Sequence, residues 1–260
     1  MRIKMEYSFG GIERVRAGTA GGEGGMATDN EASAELPGLL LEAGGEASRP
    51  GILLLQEIFG LNASMRLIAT AWRNSGYDVF APDLFWRQQP GVELDPASAE
   101  DRERAQALMQ GLDERLAIAD IAAGVAMLRG RGRSSGRVAA VGYCLGGRLA
   151  YVSAAAGVVD AAISYYGVAI HRSLDLAGQV KVPLLIHVAG EDHLCDAEAQ
   201  RELYEAFAFR PNVTLHTHRG VGHAFARPAS PHWNETAAET ANEMSLAYLR
   251  SSIGTGDDRR

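Results

Sequence analysis

Apolar residues fall into two kinds of pattern along this chain. Short apolar runs stand at 52–55, 77–81, 138–141, 161–165 and 183–188, the second closed by Pro82 and the third by Gly142. Runs of that length, rich in Val, Ile and Leu, read as strands buried on both faces, as in parallel sheets. Between them apolar positions recur at helical spacing. One stripe is Met65, Ile68, Ala69 and Trp72, and a second is Ala105, Leu108, Met109 and Leu112. Ile118, Ile121, Val125 and Leu128 form a third, Leu203 and Phe207 a fourth, and Ala237, Ala241, Met244 and Tyr248 the last. Asn62 or Ser64, Ser98 and Asp196 are placed to cap helices, and Gly76 and Gly111 to end them. Segment 36–41, broken by Pro37 and Gly38, reads as an edge strand at best, and 213–218 alternates as a strand. Strands alternating with helices predict an α/β fold: a mostly parallel sheet, helices on both faces, right-handed crossovers. The loop over 83–96 exceeds the usual length, which suggests a functional surface.

The pattern fails at the start. Residues 17–25 are Gly-rich and of low complexity, so 1–25 is expected to be a flexible extension, 26–252 a single domain and 253–260 a polar tail. Within 260 residues, 47% hydrophobic and 22% charged describe an ordinary globular chain with one large core. A net charge of −7 without a basic cluster argues against a nucleic-acid partner. Cys144 and Cys195 make no disulfide framework, and no stretch resembles a membrane span or signal peptide. A monomeric cytoplasmic protein is expected.

Residues 137–147 carry the clearest motif. The run 138–141 leads into Gly142-Tyr-Cys144-Leu-Gly146, and a helix-like stretch follows at 148–155. Strand, sharp turn and helix with a nucleophile at the apex is the nucleophile elbow of the α/β-hydrolase fold, here with cysteine in the serine position. A buried, inert cysteine is the competing reading. Open parallel sheets gather their sites at the carboxyl ends of strands. There stand Glu57, Cys144, Asp192 and His223, and the order Cys, Asp, His is that of nucleophile, acid and base. Four strand ends each supplying a titratable group outweigh any one of them alone.

Other chemistries find less support. His216 and His218 share a strand face near His223, yet no cysteine or carboxylate completes a zinc spacing, so no metal is expected. The elbow glycines lack the downstream Lys-Ser/Thr of a nucleotide cradle, and no cofactor is expected.

Several stretches together resemble the dienelactone hydrolases (carboxymethylenebutenolidases): QEIFGLN at 56–62, APDLFWRQ at 81–88, VGYCLGG at 141–147, YYG at 165–167, GEDH at 190–193 and GHAFAR at 222–227. The resemblance implies a triad of Cys144, Asp192 and His223, with Glu57 helping to activate the thiol. It implies oxyanion-hole amides from Ile58 and Leu145, and carboxylate-binding roles for Arg87 and Arg227. Glu57 is then expected to pair with Arg227 in the empty site. One departure is Ala224, where well-studied members carry serine.

The implied chemistry suits a thiol. A thiolate leaves a tetrahedral intermediate more readily than a simple alkoxide, so ordinary esters mostly revert, whereas a weakly basic enolate competes as leaving group. An enol lactone such as dienelactone, opened to maleylacetate, is the expected substrate, and two arginines suit an anionic one. The rivals are a broader carboxylesterase or thioesterase, and a thiol-based sensor or ligand-binding protein without turnover. A sensor needs neither a water-activating base nor its orienter, which argues against the last.

Overall fold

The apolar runs become strands β1 (Gly38–Leu41), β2 (Arg49–Leu55), β3 (Asp78–Pro82), β4 (Ser134–Tyr143), β5 (Ala161–Tyr165), β6 (Leu184–Ala189) and β7 (Val213–His218). This is a computed structural model that describes residues 36–255; the expected extension over 1–25 and residues 256–260 of the expected tail lie outside them. The strands form one sheet in the order β1-β3-β2-β4-β5-β6-β7. Only β1 runs antiparallel, against β3. From β2 the chain steps outward to β3, returns past β2 to β4, and then proceeds the other way. The reversal lies between β2 and β4, where an open parallel sheet leaves a crevice at its carboxyl edge.

Six α-helices cover the sheet: α1 (Ala63–Asn74), α2 (Ala99–Gln110), α3 (Glu114–Arg129), α4 (Leu145–Ala155), α5 (Ala197–Phe207) and α6 (Glu235–Ile253). Side chains alternate across the central strands, which sorts the core into two layers. Ile52 and Leu54 pack with Met65, Trp72 and Leu249 of α1 and α6. Leu53 and Leu55 face Ile121, Val125 and Leu149 of α3 and α4. Each fully buried leucine contributes about 1.5–3 kcal/mol of transfer free energy, so both layers hold the strand ends firmly.

The expected caps form as chemistry requires. Asn62, Ser98 and Asp196 accept from the amides of Met65, Asp101 and Ala199. Gly111 ends α2, and α3 restarts from an Asp113 cap. The loop after β3 is pinned rather than loose. Asp83 accepts from Phe85 N and Gly91 N, and Leu94 N donates to Phe59 O.

Two expectations need correcting. The buried stripe of α6 is Ala238, Ala241, Ser245, Leu246, Leu249 and Ile253, not the stripe through Ala237, Met244 and Tyr248. Its register is set by Ser245, which lies under the sheet and bonds to Tyr165 and His187. A 3-10 stretch, Ile170–Gln179, also occupies what the pattern reads as loop. Among the described residues no helix is long and apolar enough to cross a membrane.

Candidate active site

The site is assembled from the carboxyl ends of β2, β4, β5, β6 and the loop after β7. Tyr143 closes β4, and α4 begins at Leu145, so Cys144 alone turns the chain and becomes the amino-terminal cap of α4. Its backbone is left-handed (φ 56°, ψ −113°), a conformation that stores strain of about 1–3 kcal/mol in a non-glycine residue. The flanking glycines make that bend possible. A Cβ at Gly142 would collide with the Gly146 carbonyl, and one at Gly146 with the Leu55 carbonyl. The Cys144 and Gly146 amides are bonded to Tyr165 O and Gln56 O at 3.0 Å each. Leu145 N–H between them is the first amide of the helix, a donor that helix geometry leaves without an intrahelical acceptor.

Asp192 and His223 meet beside this turn. His223 Nδ1 lies 2.8 Å from Asp192 Oδ2, and Asp192 Oδ1 accepts from Leu194 N at 2.8 Å. Both carboxylate oxygens are thereby fixed, and Nδ1 of the imidazole carries the proton. Nε2 is buried and has no hydrogen-bond partner of ordinary geometry among the described residues. Burial opposes a charged imidazole, but the Asp192 hydrogen bond and the nearby Cys144 sulfur outweigh it, and the His223 pKa is pushed up to about 10. The ring is held edge-on by Tyr166, with centroids 5.0 Å apart.

A second buried pair lies alongside. Arg227 Nε donates to Glu57 Oε2 at 2.6 Å, with only 7% and 3% of the two side chains exposed. The guanidinium also sits 5.2 Å from the Phe59 ring centroid. Glu57 Oε1 remains buried without a partner among the described residues.

Comparison with known proteins gives the family. Residues 36–253 match the profile of the dienelactone hydrolase family. A carboxymethylenebutenolidase of Pseudomonas putida is 40% identical over 212 residues, covering 82% of this chain and 90% of the relative. Carboxymethylenebutenolidase 1 of Cupriavidus pinatubonensis is 37% identical over 202 residues, covering 78% and 86%.

The chain belongs to the dienelactone hydrolase family.

It is thus a carboxylic ester hydrolase with an α/β-hydrolase fold. A crystal structure of a candidate dienelactone hydrolase from Klebsiella pneumoniae superposes with a TM-score of 0.74 at 21% identity, covering 84% of this chain and 93% of that one. That likeness concerns the fold.

Of the residues expected at a dienelactone hydrolase site, Glu57, Cys144, Asp192, His223 and Arg227 come together at one buried centre, flanked by Ile58 and Leu145. Arg87 is held differently. Both of its Nη atoms donate to the buried Asp120 carboxylate of α3, one at 2.9 Å. Asp120 also accepts from Trp86 Nε1 at 3.0 Å, and the guanidinium stacks 4.3 Å from the Trp86 ring centroid. No hydrogen bond or ion pair joins Arg87 to Arg227, Glu57 or Cys144 among the described residues. Ala224, the departure from the family pattern, is left-handed (φ 66°) and buried directly after the histidine. A cleft of about 580 Å³ opens beside Arg227, walled by Asn62, Ser64, Leu94, Arg102 and His232, with Cys144 outside its walls.

Two residues escaped sequence reasoning. Asp120 looks like one more polar position on α3, and nothing in its spacing announces Arg87. Tyr166 stood inside the YYG stretch without a role. His218 is buried and bonded to His187 at 3.0 Å, so it is not the exposed edge histidine that an H-x-H strand suggests. Among the described residues no group of three or more His, Cys, Asp or Glu is arranged to hold a metal.

Proposed function

We propose that this chain hydrolyses a carboxylate-bearing enol lactone, dienelactone to maleylacetate, with Cys144 as nucleophile. The observation that carries the reading is the His223–Asp192 pair at 2.8 Å with a raised imidazole pKa beside the Cys144 elbow. The relatives named carboxymethylenebutenolidase support the choice of substrate. Arg227 receives the substrate carboxylate, and that competition draws Arg227 away from Glu57. The freed Glu57 carboxylate then helps to take the thiol proton.

The sulfur attacks the lactone carbonyl carbon as a thiolate, forming a C–S bond and a tetrahedral oxyanion. The Ile58 and Leu145 amides donate to that oxygen, where losing one donor typically costs about 2.7–4 kcal/mol of transition-state stabilisation. Collapse of the intermediate breaks the bond to the ring oxygen, which departs as an enolate and takes a proton from the imidazolium of His223. The open-chain thioester remains on Cys144. Neutral His223 then removes a proton from water, hydroxide adds to the thioester, and the thiolate leaves and recovers the proton taken up by Glu57. Asp192 orients the ring and balances its charge throughout.

Steady-state turnover of cis- and trans-dienelactone, set against p-nitrophenyl acetate, tests the proposal. A kcat/KM for either lactone well above that for the simple ester is expected. Preference for the neutral ester would favour the broader esterase reading.

A further inference from the structure

Two tyrosines follow each other at the end of β5, and their hydroxyls meet opposite fates. Tyr165 points under the sheet, where its hydroxyl has Ser245 Oγ at 2.8 Å and Asn242 Oδ1 at 2.9 Å. Tyr166 turns the other way through a left-handed backbone (φ 39°), anchored by its amide to His187 O at 2.8 Å. Its ring is 3% exposed and packs edge-on against both His223 and Phe225. Its hydroxyl is buried with no hydrogen-bond partner among the described residues. Native proteins keep few such groups, and each asks for a reason.

The surroundings supply one. The charged groups that bear most on this hydroxyl are Glu57 and Arg227, ahead of Cys144. Burial pushes the phenol far above its ordinary pKa, so it stays a neutral O–H donor at any working pH. It does not bond Glu57, whose Oε1 is equally unpartnered. A donor without an acceptor therefore stands over His223, within electrostatic reach of the arginine that would receive an anion. The oxyanion has its own donors in backbone amides, so the phenol is not required there.

We propose that Tyr166 is a substrate-contacting residue whose hydroxyl donates, beside Arg227, to the carboxylate of the bound substrate. This deepens the functional reading above and rests on it. Arg227 supplies charge to one carboxylate oxygen and Tyr166 a neutral donor to the other, so the pair selects a planar anion over a neutral group. The left-handed turn at Tyr166 then has a purpose, because it is what brings this side chain back over the catalytic histidine.

The test compares two substrates in two variants. Tyr166→Phe removes a single oxygen and keeps the ring against His223. Its kcat/KM for dienelactone, divided by that for p-nitrophenyl acetate, should fall about 10- to 100-fold, mostly through KM. Its melting temperature should equal or exceed the parent's, since the lost oxygen has no partner. An unchanged substrate ratio, a markedly lower melting temperature or failure to fold would each assign the hydroxyl a structural role and overturn the proposal. Arg227→Met separates this from the reading beneath it. If Arg227→Met lowers the ratio and Tyr166→Phe does not, only the tyrosine proposal fails. If neither changes it, the carboxylate reading fails as well.

Discussion

Two buried histidine sites, linked through the packed rings of Phe225 and Tyr166, hold their protons in opposite ways. His223 keeps its proton to about pH 10, because Asp192 and the Cys144 sulfur override the cost of burial. His187 and His218, facing each other at 3.0 Å on neighbouring strands, are driven the other way. Burial lowers both, neighbouring imidazoles add to it, and His218 falls to about 4. Both sites exclude water, so what decides the charge is the partner: a carboxylate in one, another imidazole in the other. The first arrangement suits proton transfer. The second is a neutral hydrogen-bonded strut, running from His218 through His187 to Ser245 of α6 and packed on Phe225, two residues past His223.

The comparison breaks most directly at His223. His223→Ala should lower kcat by about 10²–10⁴-fold, while His218→Asn leaves turnover largely intact but lowers the melting temperature. Equal kinetic losses in the two would mean that the sites do not divide the work in this way. Asp192→Asn is the sharper form, because it gives His223 a neutral partner like that of His187. An NMR titration should then find the His223 imidazole well below its parent value of about 10, with kcat reduced on the order of 10²–10⁴-fold. Retention of the high pKa in that variant would remove the carboxylate as its cause.

Acid gives a third, smaller test. The lowered histidines are neutral in the folded chain but gain protons on unfolding below their ordinary value of 6.5. Stability should therefore drop as the pH falls from 6.5 toward 4, by roughly 1–3 kcal/mol from this pair, measured by urea denaturation. His223 acts with the opposite sign: its contribution is complete below 6.5 and is lost as the pH rises toward 10. A His187→Gln, His218→Gln double variant that keeps the full acid loss would place its origin elsewhere. The smallest effect belongs to His216, half-buried on edge strand β7. His216→Ala should change stability by no more than about 0.5 kcal/mol and leave turnover unaltered with or without added zinc.

Much of this was readable from residues alone, and the part that was not has a physical cause. Strands β2 to β6 announce themselves because both of their faces are buried, which turns them into unbroken apolar runs. Cys144, Asp192 and His223 are legible because each follows such a run within a few residues, and a parallel sheet brings those ends to one edge. The Asp120–Arg87 pair spans 33 positions and two elements, and nothing local marks it. Ser245 misled the reading of α6 for a related reason. A serine in a core position counts as polar until its partners, Tyr165 and His187, are seen to satisfy it. The roles of Tyr165 and Tyr166 depend on one left-handed backbone angle between adjacent residues of the same type.

The elbow at Cys144 has an evolutionary consequence. Its two flanking glycines are held by close backbone contacts that a side chain there would break, whereas the apex position itself carries a side chain. Mutation can therefore explore the reactive atom while the platform stays still. A single nucleotide change exchanges sulfur for oxygen at position 144 and leaves both glycines, and the bend they allow, in place.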